Sequence, residues 1–391
     1  MKRLVKIEKN KNILLLGPRQ TGKSTLIKEL IGPNDLYINL LLRSQYNKYS
    51  KEIEAFHNEV LFHFKQKGAS LCIIDEVQKI PALLDEVHDL IECTDMCFIL
   101  TGSSARKLKN HGVNLLAGRA LPRSLFPLIY TEIGNSFDLE KALIYGTLPK
   151  IWNDDLKDHE EYSDFLSAYC DTYLKEEIQQ EALVRKLDAF SRFLDVAAIN
   201  DGQIVNYSTI ARECGVSAKS VQGFYEILED TFLAHRIDGW NKSVRKQLVS
   251  HPKYYFFDCG VSNTLCHWMK EQLNKDERGR KFEQFVILQL IALNSYHKLN
   301  LKFYHWRDKN GLEVDLLITK GLKILAAVEF KSNTSVHMTS DTKALTAFLS
   351  ENGEVPCYVV VPTGNPRELQ KSILYYHWKE FIETVFLALG K

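Results

Sequence analysis

The sequence predicts an α/β multidomain chain, and three observations carry that expectation. They are a strand, glycine loop and helix unit near the amino terminus, a helix-turn-helix opening near the middle, and carboxylate-bearing strands in the last third. The 391 residues are 45% hydrophobic and 25% charged, with only 10 Pro and 20 Gly. That composition excludes wholesale disorder and fibrous classes, and at roughly 100–200 residues per domain it allows two to four cores. The longest apolar run, residues 286–293, is interrupted by Gln289 and is too short to cross a bilayer. The Lys-rich start lacks an apolar signal core, so a cytoplasmic protein with no membrane partner is expected. Eight cysteines are too sparse for a disulfide scaffold. Cys93 with Cys97 has no second Cys/His pair at zinc-ribbon distance, and Cys259, Cys266 and His267 lie in an aromatic, apolar segment, so both clusters read as core packing.

Taken in order, residues 12–16 (NILLL) form a short apolar run, as a buried parallel strand does. GPRQTGKS follows, comprising Gly17, Pro18, Arg19, Gln20, Thr21, Gly22, Lys23 and Ser24, and Thr25 begins a helical stretch. This is G-x-x-x-x-G-K-[ST]: loop amides cradle phosphates, Lys23 reaches the β/γ-phosphates and Ser24 ligates Mg²⁺. ATP and Mg²⁺ are therefore the expected cofactors. The next apolar strand, residues 71–74, emerges into Asp75 and Glu76, at the sheet edge where such folds bind ligands. Asp75 is placed to hold the Mg²⁺ shell and Glu76 to take a proton from the attacking water. A third strand, residues 97–101, runs into Gly102 and Ser103, where Ser103 either bonds the water or γ-phosphate or caps a helix near Ala105. Arg119, before a strand at 121–125, is a candidate finger on transition-state charge, in its own chain or a neighbour's; a homo-oligomer is one consequence.

Charge divides the chain. Residues 1–150 hold 21 Lys+Arg against 16 Asp+Glu, residues 151–240 hold 8 against 18, and residues 241–391 hold 21 against 15. Basic outer thirds suit phosphate; an acidic middle repels it. Residues 165–199 predict two or three helices. Ser208, Gly215 and Ser217 then read as cap, turn and cap of a helix-turn-helix whose second helix covers 218–230, with a wing hairpin at 232–240. That second helix offers Lys219, Ser220 and Gln222 but also Glu226, Glu229 and Asp230, so packing or domain coupling is favoured over base reading.

In the last third, Glu283 falls on a helix, Glu313 and Asp315 share one face of a strand start, and Glu329 and Lys331 share a face of the next strand. Two carboxylates on adjacent strands with a Lys two positions on can hold Mg²⁺ and act on water attacking a phosphodiester. Asp315 and Glu329 are the expected metal ligands, with Glu283 completing the set and Lys331 acting on the water or phosphate. DNA is the expected partner, meeting the basic last third at Arg278, Arg280 and Lys281. Tyr304, His305, Trp306, Tyr375 and Tyr376 could stack on bases, although core packing is the favoured reading.

GPRQTGKS, IIDEVQKIPALLDEVHDLIE (73–92), ILTGSSARKL (99–108), LLAGRA (115–120), and FPLIYTEI with YGTLPKI resemble bacterial and archaeal AAA+-like ATPases. In those proteins an ATP-binding domain precedes a winged helix and a restriction-endonuclease-like domain. The order Glu283, Asp315, Glu329, Lys331 resembles the PD-(D/E)XK nuclease core. The resemblance implies Ser103 as a sensor, Arg119 as part of a finger motif, and three domains: 1–150 (ATPase), 151–245 (helical connector with winged helix) and 246–391 (nuclease-like). The function it implies is an ATP-hydrolysing protein acting on DNA, with metal-dependent phosphodiesterase chemistry. The alternative is a nucleotide-gated switch or scaffold whose last domain binds without cutting.

Overall fold

In the computed structural model, residues 1–106, 116, 118–153, 155–174, 187–241, 251–332 and 341–390 are described. Strands β1 (Ile13–Leu16), β2 (Leu36–Asn39), β3 (Leu71–Asp75), β4 (Cys97–Gly102) and β5 (Leu121–Ser124) form one sheet in the order β2-β3-β4-β1-β5. Every neighbouring pair is parallel. Both faces are covered, which is why the inner strands are apolar runs without alternation. Leu14, Leu16, Ile74 and Leu100 pack on one side with Phe56 and Leu83; Ile13, Leu15, Ile73 and Ile99 pack on the other with Ile27 and Leu125. This is the P-loop AAA+-type sheet. Parallel pairing brings the carboxyl ends of β1, β3 and β4 to a single edge, and the first site lies there.

Helices His159–Ala168, Leu187–Ile199, Tyr207–Cys214 and Ala218–Asp230 follow. Gly215 (φ 67°) ends the third of these and the Ser217 side chain caps the fourth by accepting from Ser220 N. The cap of helix Tyr207–Cys214 is Asn206, not Ser208: its side chain accepts from Ser208 N and Thr209 N, a geometry Asn reaches at least as well as Ser. Residues 232–240 are not a hairpin by themselves. They contain one strand, β6 (Ala234–Gly239), whose antiparallel partner is β7 (Lys253–Phe256); residues 242–250 between them lie outside the described residues, as do Lys107, Leu108, Leu115 and Ala117 of the quoted motifs.

The second sheet, a mixed α/β arrangement, adds β8 (Lys302–Arg307), β9 (Glu313–Lys320), β10 (Lys323–Phe330), β11 (Cys357–Val361), β12 (Arg367–Gln370) and β13 (Ile373–His377), in the order β12-β13-β11-β10-β9-β8-β6-β7. Helix Lys275–His297 precedes two antiparallel pairings, β8/β9 and β9/β10; helix Lys343–Asn352 then leads to β11, parallel to β10. One face, with Leu316, Ala326 and Val328, shares a continuous core with the middle helices and Trp378. The other face packs Trp306, Leu317 and Ala327 under Phe348. His305, Trp306 and Tyr375 are thus core side chains, 3%, 5% and 1% exposed. No described helix is long and apolar enough to cross a membrane.

Candidate functional site

After β1 the chain turns at Gly17, whose amide donates to Gly102 O (3.2 Å). A side chain cannot replace its hydrogen, since a Cβ would sit 2.2 Å from Leu125 O. Gly22 (φ 92°) opens helix Lys23–Lys28 in the left-handed region that favours glycine. Lys23 Nζ, on a residue 4% exposed, donates to the carbonyls of Gly17 and Pro18, both at 2.8 Å, so its ammonium lies across the loop's concavity. Thr21 Oγ1 donates to Pro18 O (2.9 Å). Arg3 braces the loop from outside, donating to Thr21 O (2.7 Å) and Phe126 O (2.6 Å) and pairing with Glu132 (3.1 Å). Nothing in the local sequence distinguishes Arg3 from its basic neighbours. A cleft beside the loop is lined by Arg3, Gly22, Thr25, Leu26, Leu128 and Pro149.

Asp75 ends β3 and is 1% exposed. Its Oδ2 accepts from Tyr37 OH (2.8 Å) and its Oδ1 from Thr101 Oγ1. Burial, then Asp75 itself, pushes the Tyr37 hydroxyl well above its ordinary pKa, so it stays a donor. A carboxylate fixed by two hydroxyls, on the edge that carries Ser24, is a hard oxygen donor suited to Mg²⁺. Glu76 stands in the left-handed region (φ 64°, ψ 47°), which costs a side-chain-bearing residue about 1–2 kcal/mol. Its amide donates to Thr101 Oγ1 (3.2 Å), and its Oε2 meets Gln78 Nε2 and Ser103 Oγ. Ser103, fully buried, therefore faces the site, and it is Ser104 whose Oγ accepts from Arg106 N (3.2 Å) at the start of the next turn. Tyr37, Thr101 and Gln78 were not foreseen; a hydroxyl ending the apolar run of β4 was the available signal for Thr101.

Arg119 is elsewhere. It precedes β5, whose Leu121 pairs with Ile13 at the start of β1, and its guanidinium pairs with Glu92 at the end of helix Leu83–Cys93. The strand rise of about 3.3 Å per residue puts it at the opposite edge, roughly 10 Å or more from the loop. The structure does not bring Arg119 to its own chain's phosphate loop.

The last third gathers Glu283, Glu313 and Asp315 near a residue the sequence reading missed, Lys253, with Glu329 and Lys331 next to Asp315. Lys253, its side chain 3% exposed, reaches Glu313 Oε1 (2.5 Å) and Glu283 Oε1 (3.5 Å), and Tyr255 OH donates to Glu283 at 2.6 Å. Burial opposes the Lys253 charge, but Glu283, Asp315 and Glu313 outweigh it and raise its pKa. Glu283 is pushed up to about 7, by burial first and then Asp315, against Lys253. Asp315 Oδ2 accepts from Phe330 N (2.9 Å), which ties β9 to β10 beside Glu329. Glu329 is 3% exposed; its Oε2 accepts from Lys331 Nζ (3.0 Å), while its Oε1 is buried without a partner among the described residues. Burial, then Asp315, raises its pKa well above the usual carboxylate range. The three carboxylates feel one another, yet among the described residues no three His, Cys, Asp or Glu side chains converge as a metal cluster. Glu283 is committed to Tyr255 and Lys253 and does not complete a ligand set with Asp315 and Glu329. A lone Lys in the aromatic stretch KYYFF was the available signal for Lys253. A cleft of about 350 Å³ is lined by Lys253, Arg280, Glu283, Arg307, Glu313 and Asp315.

The expected basic footprint on helix Lys275–His297 is dispersed. Arg278 pairs with Glu140 (2.6 Å) and donates to Ser332 O (2.7 Å). Lys281, 1% exposed, is an internal partner of Asp201 (3.2 Å). Only Arg280 of the three lines the cleft. Lys219 and Gln222 are exposed on helix Ala218–Asp230 beside exposed Glu226, and Asp230 receives Arg106 Nη1 (3.1 Å) from the chain beyond β4.

With this geometry in hand, comparison with known families is informative for the first third. Residues 9–134 match the model of an AAA domain, which makes this part a P-loop ATPase domain. Residues 136–274 and 278–381 match two domains of unknown function, DUF8612 and DUF4143. No curated protein matches. Among solved structures, the Orc1 protein of Aeropyrum pernix in complex with DNA aligns at 10% identity over 66% of this chain and 87% of that one, with a TM-score of 0.32. A likeness that remote bears on neither activity nor partner.

Proposed function

We propose that the chain is an ATP-hydrolysing protein acting on DNA, whose last third carries a second, metal-dependent phosphodiester site. In the first site the loop of residues 17–24 binds the triphosphate, and Lys23 exchanges the Gly17 and Pro18 carbonyls for phosphate oxygens. Ser24 and Asp75 hold Mg²⁺, Glu76 takes the proton of the attacking water, and Ser103 senses the γ-phosphate. The cleft lined by Arg3, Leu26, Leu128 and Pro149 suits the base. Arg119, facing away from its own loop, serves a neighbouring copy.

One observation carries the second site: Glu329 Oε1, buried beside Asp315 with no hydrogen-bond partner among the described residues. A cation can meet that oxygen, and Asp315 with Glu329 offers it hard oxygen ligands. A bound divalent ion polarises the phosphodiester and lowers the pKa of water. Lys331, one-third exposed, presents its ammonium to the attacked phosphate, and Arg280 and Arg307 along the cleft receive the backbone. The helix–β–β–β–helix–β order around these residues supports the nuclease-like reading. Calorimetric titration of the full chain with Mn²⁺, without nucleotide, tests it: one site is expected in the wild type and none in Glu329→Gln or Asp315→Asn. Equal binding by all three refutes the ligand assignment.

A second reading has its own support. Because Glu283 is engaged by Tyr255 and Lys253, the cluster also suits a switch or scaffold that binds nucleic acid or protein without cutting.

A further inference from the structure

Gln78 has no part in the chemistry above, yet it lies at its centre. It sits on the single 3-10 turn Val77–Lys79 after Glu76 and is 4% exposed. Its Nε2 donates to Glu76 Oε2 and, at 3.0 Å, to Ser103 Oγ; Ser103 Oγ is itself 3.3 Å from Glu76 Oε2. The three side chains close a triangle between the ends of β3 and β4. The amide oxygen is buried with no partner among the described residues. It lies against Gly102, where a Cβ would come within 2.7 Å of it, and Gly102 O is the acceptor for Gly17 N at the start of the phosphate loop.

Turning the amide over would set its oxygen against a carboxylate oxygen, two acceptors face to face. The orientation is therefore dictated by Glu76. Buried amide oxygens are nearly always satisfied, and here that satisfaction is given up to keep the Nε2 contacts. A side chain chosen for packing alone would not hold an amide in this pose.

We propose that Gln78 is a positioning residue for ATP hydrolysis, holding the Glu76 carboxylate and the Ser103 hydroxyl in one register. The inference rests on the ATPase reading of Glu76. In the step it serves, the oxygen of water bonds to the γ-phosphorus while the bond from that phosphorus to the bridging oxygen breaks. The electron pair leaves with ADP, and the proton of water passes to Glu76. Gln78 is unchanged throughout and acts through the two groups it holds.

The test uses the full chain with ATP and Mg²⁺ and measures both turnover and the nucleotide dissociation constant. Gln78→Leu removes both amide groups. Gln78→Glu keeps the size and the acceptor but removes the donor and sets a like charge beside Glu76. Both should lose at least tenfold in kcat and keep the dissociation constant within about threefold, a split that a general packing defect would not give. In single turnover, adding Gln78→Leu to Glu76→Gln should change the residual rate less than twofold, because a residue acting through Glu76 has nothing left to position. A folded Gln78→Glu that turns over within twofold of wild type overturns the proposal, as does a full multiplicative loss in the Glu76→Gln background. Should Gln78→Leu fail to fold, Gln78→Glu decides alone. If the wild type binds ATP without hydrolysing it, the ATPase reading of Glu76 falls first. If wild type and Glu76→Gln behave as expected and Gln78→Glu is fully active, only Gln78 is wrong.

Discussion

Replacing Lys281 by Met separates two meanings of a lysine on helix Lys275–His297. As a phosphate contact it would govern DNA affinity; as an internal cation it governs stability. The structure supports the second. Its ammonium is 3.2 Å from Asp201 Oδ2, 2.7 Å from Ser262 Oγ and 2.9 Å from Gln284 Oε1, and the side chains of Lys281 and Asp201 are 2% and 4% exposed. At an effective dielectric of about 20, unit charges at that separation attract by roughly 5 kcal/mol, and removing one partner of a buried pair destabilises by about 3–5 kcal/mol. Burial already raises the Asp201 pKa against the pull of Lys281, so loss of the lysine strands the acid. The five tryptophans, at 152, 240, 268, 306 and 378, all lie outside the first 150 residues, so their fluorescence in urea follows this part of the chain. With a slope of about 2–3 kcal/mol per molar urea, the midpoint should fall by about 1–2 M. Lys281→Met with Asp201→Asn should recover much of the loss, since no charge is then buried alone. The salt dependence of DNA binding should not change. An unshifted midpoint, or a flatter salt dependence with stability intact, refutes the internal-pair reading.

Two further outcomes follow from placement and burial. Arg119 lies at the far edge of its sheet, so Lys23→Ala subunits mixed with Arg119→Ala subunits, each inactive alone, should regain ATP hydrolysis; no rescue, with a monomeric mass in ATP, rejects a shared site. His305 is 3% exposed, its Nε2 lies 3.0 Å from His251 O, and burial, helped by Lys253, pushes its pKa down to about 4 from 6.5. The folded state thus binds fewer protons than the unfolded one between those values. Stability is complete above pH 6.5, and about 3 kcal/mol is lost as pH falls to 4. Urea midpoints at pH 7 and pH 4.5 should converge in His305→Gln relative to wild type, and an unchanged pH difference contradicts the assignment.

Much of the first site was legible because its chemistry is local. A buried parallel strand must be an apolar run and its loop follows at once; Lys23 opens the helix after that loop, Asp75 ends its strand and Glu76 comes next. What remained hidden depends on neighbours remote in sequence. Tyr37 and Thr101 reach Asp75 from β2 and β4, and Gln78 matters only because β4 delivers Ser103 beside it. In the last third, Asp315, Glu329 and Lys331 could be read from strand alternation, but Lys253, the cation that pairs with Glu283 and Glu313, comes from β7, whose place in the sheet no local period reveals. Lys281 was misread as a DNA contact although helix period was available to correct it. Gln284 and Phe285, three and four positions on, are both buried, and residues at that spacing share a face. For Arg119 the sequence supplied the residue type but not the sheet edge, which only the order of the five strands decides.

The central claim, a phosphodiester site in the last third of an ATPase, is tested most directly by cleavage. Wild type, Asp315→Ala, Glu329→Ala and Lys331→Ala are incubated with linear, circular, single-stranded and branched DNA in Mg²⁺ or Mn²⁺, with and without ATP, while phosphate release from ATP is followed in the same samples. The account predicts cut product from wild type that chelation abolishes, none from Asp315→Ala or Glu329→Ala, a reduced rate from Lys331→Ala, and ATP hydrolysis near the wild-type rate in all three variants. Highly purified wild type that hydrolyses ATP and binds DNA but yields no cut product on any substrate would contradict it and leave the switch reading in its place.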